Sequence, residues 1–362
     1  LALKEFKTHD YLLNTIRGFN QDYLKIEVPQ SLPTAILVLV KGKNPQRTIG
    51  YRADIDALPV NEKTNLPYAS KNPNVMHACG HDIHMTVALG LLNYFSENQP
   101  QDNLLFFFQP AEESESGGKQ AYEKGIFHDE FKPDEFYGLH DNPALPAGAI
   151  GCRMGTLFAG TTEVNIDITG KSGHAAFPQN ANDTVVAAAS LIMQIQTIIS
   201  RSIDPIQSGV VTLGKIEAGT IRNVIAGHAR IEGTIRGLTQ KMIVQIDQRL
   251  KDICEGIARS YNLDVELQLN QGGYWPVENN PELTKQFISY MKNNPQVNYV
   301  ETAPAMTGED FGFLLAKFPG VMFWLGVEDN SELHSATLTP NESSIMRGIE
   351  AIKGFLIYRM EK

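Results

Sequence analysis

Apolar positions along the chain follow two rhythms. Continuous apolar runs at residues 34–40, 104–108, 136–139 and 321–327 are too short for helices of their own and predict strands buried on both faces of a parallel sheet. Helical spacing appears at residues 6–20 and again at 82–98, where Ile83, Val87, Leu91, Leu92 and Phe95 share one face and Asp82 is the expected N-cap. His84 lies in that first turn and is read as structural. The strand over 48–56 ends in Asp54 and Asp56 before Pro59 breaks it.

The rhythm changes near residue 161. Residues 164–169 alternate like a half-exposed antiparallel strand, residues 182–200 form a long Ala/Ile/Val-rich helix, and strands are expected at 209–216 and 224–236. A helix at 240–261 and a strand at 263–269 complete a strand-helix-strand-strand-helix-strand order. That order predicts an α/β fold with a mixed, mostly parallel sheet, interrupted by an inserted α+β, ferredoxin-like module. The expected divisions are 1–160 and 271–362 for the α/β domain and 161–270 for the insert.

Composition narrows the picture further. A chain of 362 residues with 42% hydrophobic and 20% charged residues is long enough for two folded domains. Its net charge of −10, with no Lys/Arg-rich run, argues against a nucleic-acid partner. Cys79, Cys152 and Cys254 are odd in number and far apart, which fits unpaired thiols in a reducing cytoplasm. No apolar run is read as approaching the roughly 20 residues of a membrane span, and no signal-peptide pattern opens the chain, so no membrane association is expected. Because the chain opens on Leu1, a short preceding segment is expected.

The densest chemistry lies in Met76-His77-Ala78-Cys79-Gly80-His81-Asp82. Cys79 and His81 are two apart, which in an extended segment puts both side chains on one side and suits a metal. A buried thiol beside satisfied histidines would read the same way, so partners must decide. The 104–108 run ends in Gln109-Pro110-Ala111-Glu112-Glu113, whose adjacent carboxylates point in opposite directions when extended. One can bind a metal while the other handles a proton, although a solvated acidic loop is the alternative. His140 and His334 follow two further core strands. Ligands in open α/β sheets sit beyond the carboxyl ends of strands, so these segments are expected to converge. Cys79, His81, a carboxylate, His140 and His334 are donors enough for two divalent ions in a catalytic centre, and no Cys-x-x-Cys knuckle argues for a structural one. His174, within Lys171-Ser172-Gly173-His174-Ala175-Ala176, reads from its residues alone as an ordinary loop histidine.

These motifs, together with Arg52-Ala53-Asp54-Ile55-Asp56-Ala57-Leu58-Pro59, Gly138-Leu139-His140 and Thr307-Gly308-Glu309-Asp310-Phe311-Gly312, resemble the M20 metallopeptidase family in the same order over nearly the whole chain. More narrowly they resemble its amidohydrolase branch, which includes hippurate and auxin-conjugate hydrolases. The resemblance implies that Cys79, His81, Glu113, His140 and His334 bind two divalent ions (zinc, manganese, cobalt or nickel), one ligand bridging them. It implies that Glu112 is the general base and that Asp56, or else Asp54, is the supporting acid. The wider family has a metal-binding His where Asp54 falls and a bridging Asp in place of the Cys. The histidine matching His174 reaches a neighbouring subunit's active site in the family, and residues matching Asn223 and Arg236 hold the substrate carboxylate, which makes the insert a dimerisation lid and the protein a homodimer acting on a small N-acyl amino acid. The segment 306–312 and the strand after it are most similar to members that remove acetate from N-acetyl-LL-diaminopimelate to give LL-diaminopimelate for lysine synthesis. Alternatives are a hippurate-type or general N-acyl-amino-acid hydrolase, a dipeptidase, and a non-catalytic metal-stabilised binding dimer.

Overall fold

A computed structural model describes all residues from Leu1 to Lys362, and the chain divides into two compact units. The first comprises Leu1–Leu157, Val277–Pro304 and Asp310–Lys362; the second comprises Phe158–Pro276 and Ala305–Glu309. The short return of 305–309 to the second unit has no counterpart in the three-part division expected from the sequence.

The first unit is built on an eight-stranded sheet. Its strands run in the spatial order Leu24–Glu27, Ile36–Val40, Asn103–Gln109, Thr48–Asp54, Glu135–Asn142, Gly320–Gly326, Ile150–Cys152 and Tyr299–Glu301. Four of its seven pairings are parallel, so the sheet is mixed and mostly parallel. The Asn103–Gln109 strand pairs parallel with Thr48–Asp54 but antiparallel with Ile36–Val40. Its continuous apolar run reflects burial on both faces, which parallel and antiparallel central strands share. The helices His81–Glu97, Pro281–Asn293 and Ser343–Met360 supply Val87, Leu91, Phe287, Ile352 and Phe355 to the core against one face. Each central parallel strand thus ends near the same edge, and the loops beyond carry the candidate side chains.

Three local expectations need correction. The His81–Glu97 helix is capped by Gly80, not by Asp82, which lies in its first turn where a carboxylate faces the positive helix end. The apolar helix breaks at Gln196 into Thr184–Ile195 and Thr197–Ser202. The strand expected over 224–236 is two pieces, Val224–Ile225 on the short Gly173–His174 strand and His228–Gly237 in the main sheet.

The second unit has a four-stranded antiparallel sheet in the order Gly209–Ala218, His228–Gly237, Gly160–Thr169 and Asp264–Asn270, packed on the apolar helix and on Gln240–Tyr261. Thr184–Ser202 is long and apolar enough to cross a membrane by length and composition, contrary to the run length read from the sequence. In the fold, however, Ala187, Ala188, Leu191 and Ile195 are fully buried against this sheet. Replacing Leu191 by Ala is expected to cost about 2–5 kcal/mol, read as a lower midpoint in urea unfolding followed by circular dichroism. An unchanged midpoint would show that this helix does not carry the second core.

Candidate metal centre

Four segments of the first unit bring donors together. Cys79 precedes Gly80, whose left-handed φ of 75° turns the chain directly into the helix that His81 begins. The segment is therefore a tight turn, not the extended lip expected from the two-residue spacing, yet both side chains still face one place. His140 arrives from the central strand Glu135–Asn142, and its Nε2 lies 3.6 Å from Cys79 Sγ. His334 sits in the left-handed region at φ 68°, a conformation costly for a side chain with a Cβ. Its N–H bonds to Ala78 O at 2.6 Å, and its Nε2 lies 3.2 Å from Cys79 Sγ. Glu113 lies in a one-turn helix after Ala111, itself left-handed at φ 60°. Glu113 Oε2 is 3.6 Å from His334 Nε2, and Oε1 is 3.7 Å from His81 Nε2.

His81 Nε2 and Glu113 Oε1 are both buried with no hydrogen-bond partner. Unpaired buried donors and acceptors are costly, and native structures rarely leave them so. Facing each other at 3.7 Å, these two atoms are too far apart to bond, and cations beside them would satisfy both. Cys79 belongs to two donor triplets, one with His81 and His140 and one with Glu113 and His334. A shared donor between two triplets is what two adjacent ions require, so the residues present fit such a pair.

The surrounding carboxylates orient the imidazoles. His81 Nδ1 lies 3.0 Å from Asp56 O and 3.3 Å from its Oδ1, which directs Nε2 toward the other donors. His140 Nδ1 likewise lies 2.9 Å from Asp141 O. Asp56 Oδ2 accepts from Glu113 N at 3.0 Å, so one carboxylate fixes both His81 and the glutamate loop. Burial opposes ionisation of Asp56, but His81 and the Glu113 N–H outweigh it and hold its carboxyl below the usual range. Burial works the same way at Asp54, where Arg52, His81 and His84 keep the carboxyl well below that range. Cys79 is pushed up by burial, so its thiol needs a cation before it becomes a thiolate.

His84 is a buried ring held between two carboxylates. It is fully buried with Nδ1 2.5 Å from Asp54 Oδ1 and Nε2 3.1 Å from Asp141 Oδ1. Nε2 is also 2.9 Å from Asp141 N–H, which would suit a neutral ring, but carboxylates on both sides favour the imidazolium. Burial lowers its affinity for a proton, and Asp54 and Asp141 outweigh that to raise its pKa to about 9, while Asp141 is held down at about 2. Sequence reasoning missed His84 and Asp141, although His84 is three residues beyond His81 on the same helix face. It also missed Arg52, which is fully buried with Nη1 2.7 Å from Asp54 and Nη2 3.0 Å from Asp310.

The expected substrate residues lie in the second unit. His174 and Asn223 are exposed neighbours, with Val224 opposite His174 and Ala175 N donating to Asn223 O at 3.2 Å. Arg236 is half-buried and donates to Thr161 Oγ1 at 2.6 Å, with no carboxylate partner among the ion pairs.

A profile of peptidase family M20/M25/M40 matches residues 50–358. The chain belongs to that family. It is accordingly an amide-hydrolysing enzyme. Among curated proteins it is 81% identical over 361 residues to an N-acetyldiaminopimelate deacetylase of Lactobacillus helveticus, covering 99% of this chain and 94% of that protein. It is 64% identical to one from Pediococcus pentosaceus, covering 100% and 94%. Among solved structures, a dinuclear metal-binding peptidase of the M20 family from Bacillus subtilis is 28% identical with a TM-score of 0.86, covering 100% of this chain and 94% of that one.

A Cβ at Gly80 would lie 2.3 Å from the Asp141 carboxylate, on a backbone that disfavours any side chain. Gly80→Ala is therefore expected to displace the partner of His140 and His84 and to lower retained metal after dialysis; wild-type metal content would contradict this geometry. His84 makes a second prediction, for chelator-treated protein. Because folding raises its pKa, its stabilisation is fully present below its ordinary 6.5 and is lost as pH rises through about 9. Urea unfolding across that interval should show this loss in the wild type and not in His84→Gln.

Proposed function

We propose that the protein removes the acetyl group from N-acetyl-LL-diaminopimelate, giving LL-diaminopimelate and acetate for lysine synthesis in the cytoplasm. The observation that carries the chemistry is the pair of unpartnered buried atoms, His81 Nε2 and Glu113 Oε1, within a donor set that shares Cys79. The choice of substrate is supported by the two N-acetyldiaminopimelate deacetylases to which the chain is 81% and 64% identical. The cytoplasm is supported by three unpaired, buried cysteines.

In this reading Cys79, His81, Glu113, His140 and His334 hold two divalent ions. One thiol among imidazoles favours zinc by softness, while the nitrogen and oxygen donors also accept manganese, cobalt or nickel. When bound, the ions polarise the amide carbonyl and make water acidic enough to lose a proton near neutral pH. Glu112 takes that proton on its carboxylate and returns it to the leaving amine. Asp56 serves as the supporting acid, since it contacts both His81 and the Glu113 backbone, while Asp54 holds Arg52 and His84. Arg236 and Asn223 bind the substrate carboxylate, for which the guanidinium's missing ion partner leaves a bidentate site. His174 donates to the developing oxyanion from the neighbouring subunit of a homodimer.

The homodimer is supported by the second unit's own surface. The edge strand Gly209–Ala218 exposes Val210 and Ile216, and the adjacent helix exposes Val185, Val186 and Met193. The opposite edge, Asp264–Asn270, exposes Asp264, Glu266, Gln268 and Asn270, which blunt pairing. The exposed apolar side chains on the first edge and its helix, set among Thr212, Lys215 and Glu217 of the same strand, support pairing of a second copy there.

Glu112→Gln is expected to keep its metal content and lose about 10²–10⁴-fold in kcat; near-normal turnover would show that Glu112 is not the base. Amine release from N-acetyl-LL-diaminopimelate should far exceed that from hippurate with zinc, manganese or cobalt restored. Faster hydrolysis of hippurate would move the assignment to a general N-acyl-amino-acid hydrolase.

A further inference from the structure

The short loop carrying Glu112 and Glu113 is held by buried carboxylates from three distant places. Glu5 Oε1 accepts from Ala111 N at 3.0 Å, Asp56 Oδ2 from Glu113 N at 3.0 Å, and Asp310 Oδ2 from Gly118 N at 2.8 Å. Glu5 and Asp56 hold the loop only through its backbone. Asp310 differs, because its own N–H also donates to Glu112 Oε1 at 3.4 Å. Its carboxylate is fully buried and fastened from three sides: Arg52 Nη2 at 3.0 Å, Gln109 Nε2 at 2.8 and 2.9 Å, and Gly118 N. Gln109 in turn accepts from Arg52 Nε at 2.9 Å, so guanidinium, amide and carboxylate form one closed, buried network.

A buried network whose members are all paired permits a single arrangement, since any rotation leaves a charge uncompensated. Its backbone consequence is that the Asp310 N–H can point only where the carboxylate anchor allows, which is toward Glu112. We infer that Asp310, locked by Arg52 and Gln109, is a positioning residue that sets the Glu112 carboxylate for proton transfer. The inference rests on the reading of Glu112 as the proton carrier. It also accounts for Arg52, whose other nitrogen holds Asp54 beside His81, so that one guanidinium keeps the base and the imidazole side of the centre in a fixed relation.

The test compares metal-loaded wild type, Asp310→Asn, Glu112→Gln and the double variant by amine release from N-acetyl-LL-diaminopimelate, with metal content by plasma mass spectrometry. Asp310→Asn should keep its metal and a KM within about threefold of wild type while kcat falls about tenfold to hundredfold, the scale expected of a misplaced catalytic group. In the Glu112→Gln background the same substitution should change turnover by less than about threefold, because its effect passes through Glu112. An unchanged kcat, loss of metal, or an equal loss in both backgrounds overturns the inference. Wild-type turnover in Glu112→Gln removes the reading beneath it and the inference with it. If Asp310→Asn does not fold, Gln109→Met decides: it frees Asp310 from two donor contacts and should lower kcat several-fold at unchanged metal content, whereas unchanged kcat overturns the inference.

Discussion

Asp54, Asp56, Asp141 and Asp310 are all buried, and an ion taken out of water without compensation costs several kcal/mol. The first unit meets that cost in two ways. Arg52, a fixed and permanently charged fork, pairs with Asp54 and Asp310, and His84 bridges Asp54 and Asp141. Of the buried polar atoms left without a hydrogen-bond partner, which include Asp54 Oδ2, Asp56 Oδ1 and Asp141 Oδ2, His81 Nε2 and Glu113 Oε1 belong to the candidate donors, where cations would complete the balance. The centre is thus a preorganised field with a gap in it, and the gap is the functional part. Asp56 behind His81 and Asp141 behind His140 keep those two donors aimed whether or not the gap is filled.

The sheet makes this concentration possible. Its central parallel strands, Asn103–Gln109, Thr48–Asp54, Glu135–Asn142 and Gly320–Gly326, lie side by side, so their carboxyl ends place Gln109, Asp54, His140 and the loop to His334 along one edge. The turns that aim the side chains are strained. Ala111 and His334 adopt left-handed backbone without being glycine, and each is tied down by a hydrogen bond, Ala111 N to Glu5 and His334 N to Ala78 O. Such strain is stored where geometry matters more than stability.

Much of this was legible in the chain, for reasons that differ by element. Runs such as Leu104 to Phe108 announce buried strands because no polar residue is tolerated on either face, but they cannot reveal that one neighbour is antiparallel. The alternation at Val164 to Thr169 and the apolar helix after it marked the second unit, whose sheet has one face on that helix. Convergence of Cys79 with His81 was anticipated by a strand argument and is achieved by a glycine turn, because a left-handed residue can redirect a side chain as a two-residue period does. Asp310 was invisible as a partner of Arg52, since 258 residues separate them and no local pattern encodes that pairing. His84 carried a signal, its helical spacing from His81, and a lone histidine on an apolar helix face hid it.

The proposed centre holds two ions among these donors, with Cys79 shared between them. Anomalous diffraction from crystals of the metal-loaded enzyme, collected at the absorption edge of the added metal, tests it most directly. Two peaks are expected, both adjoining Cys79 Sγ, one with His81 or His140 and one with Glu113 or His334 as further neighbours. A single peak, or two peaks of which neither touches the thiol, would contradict it.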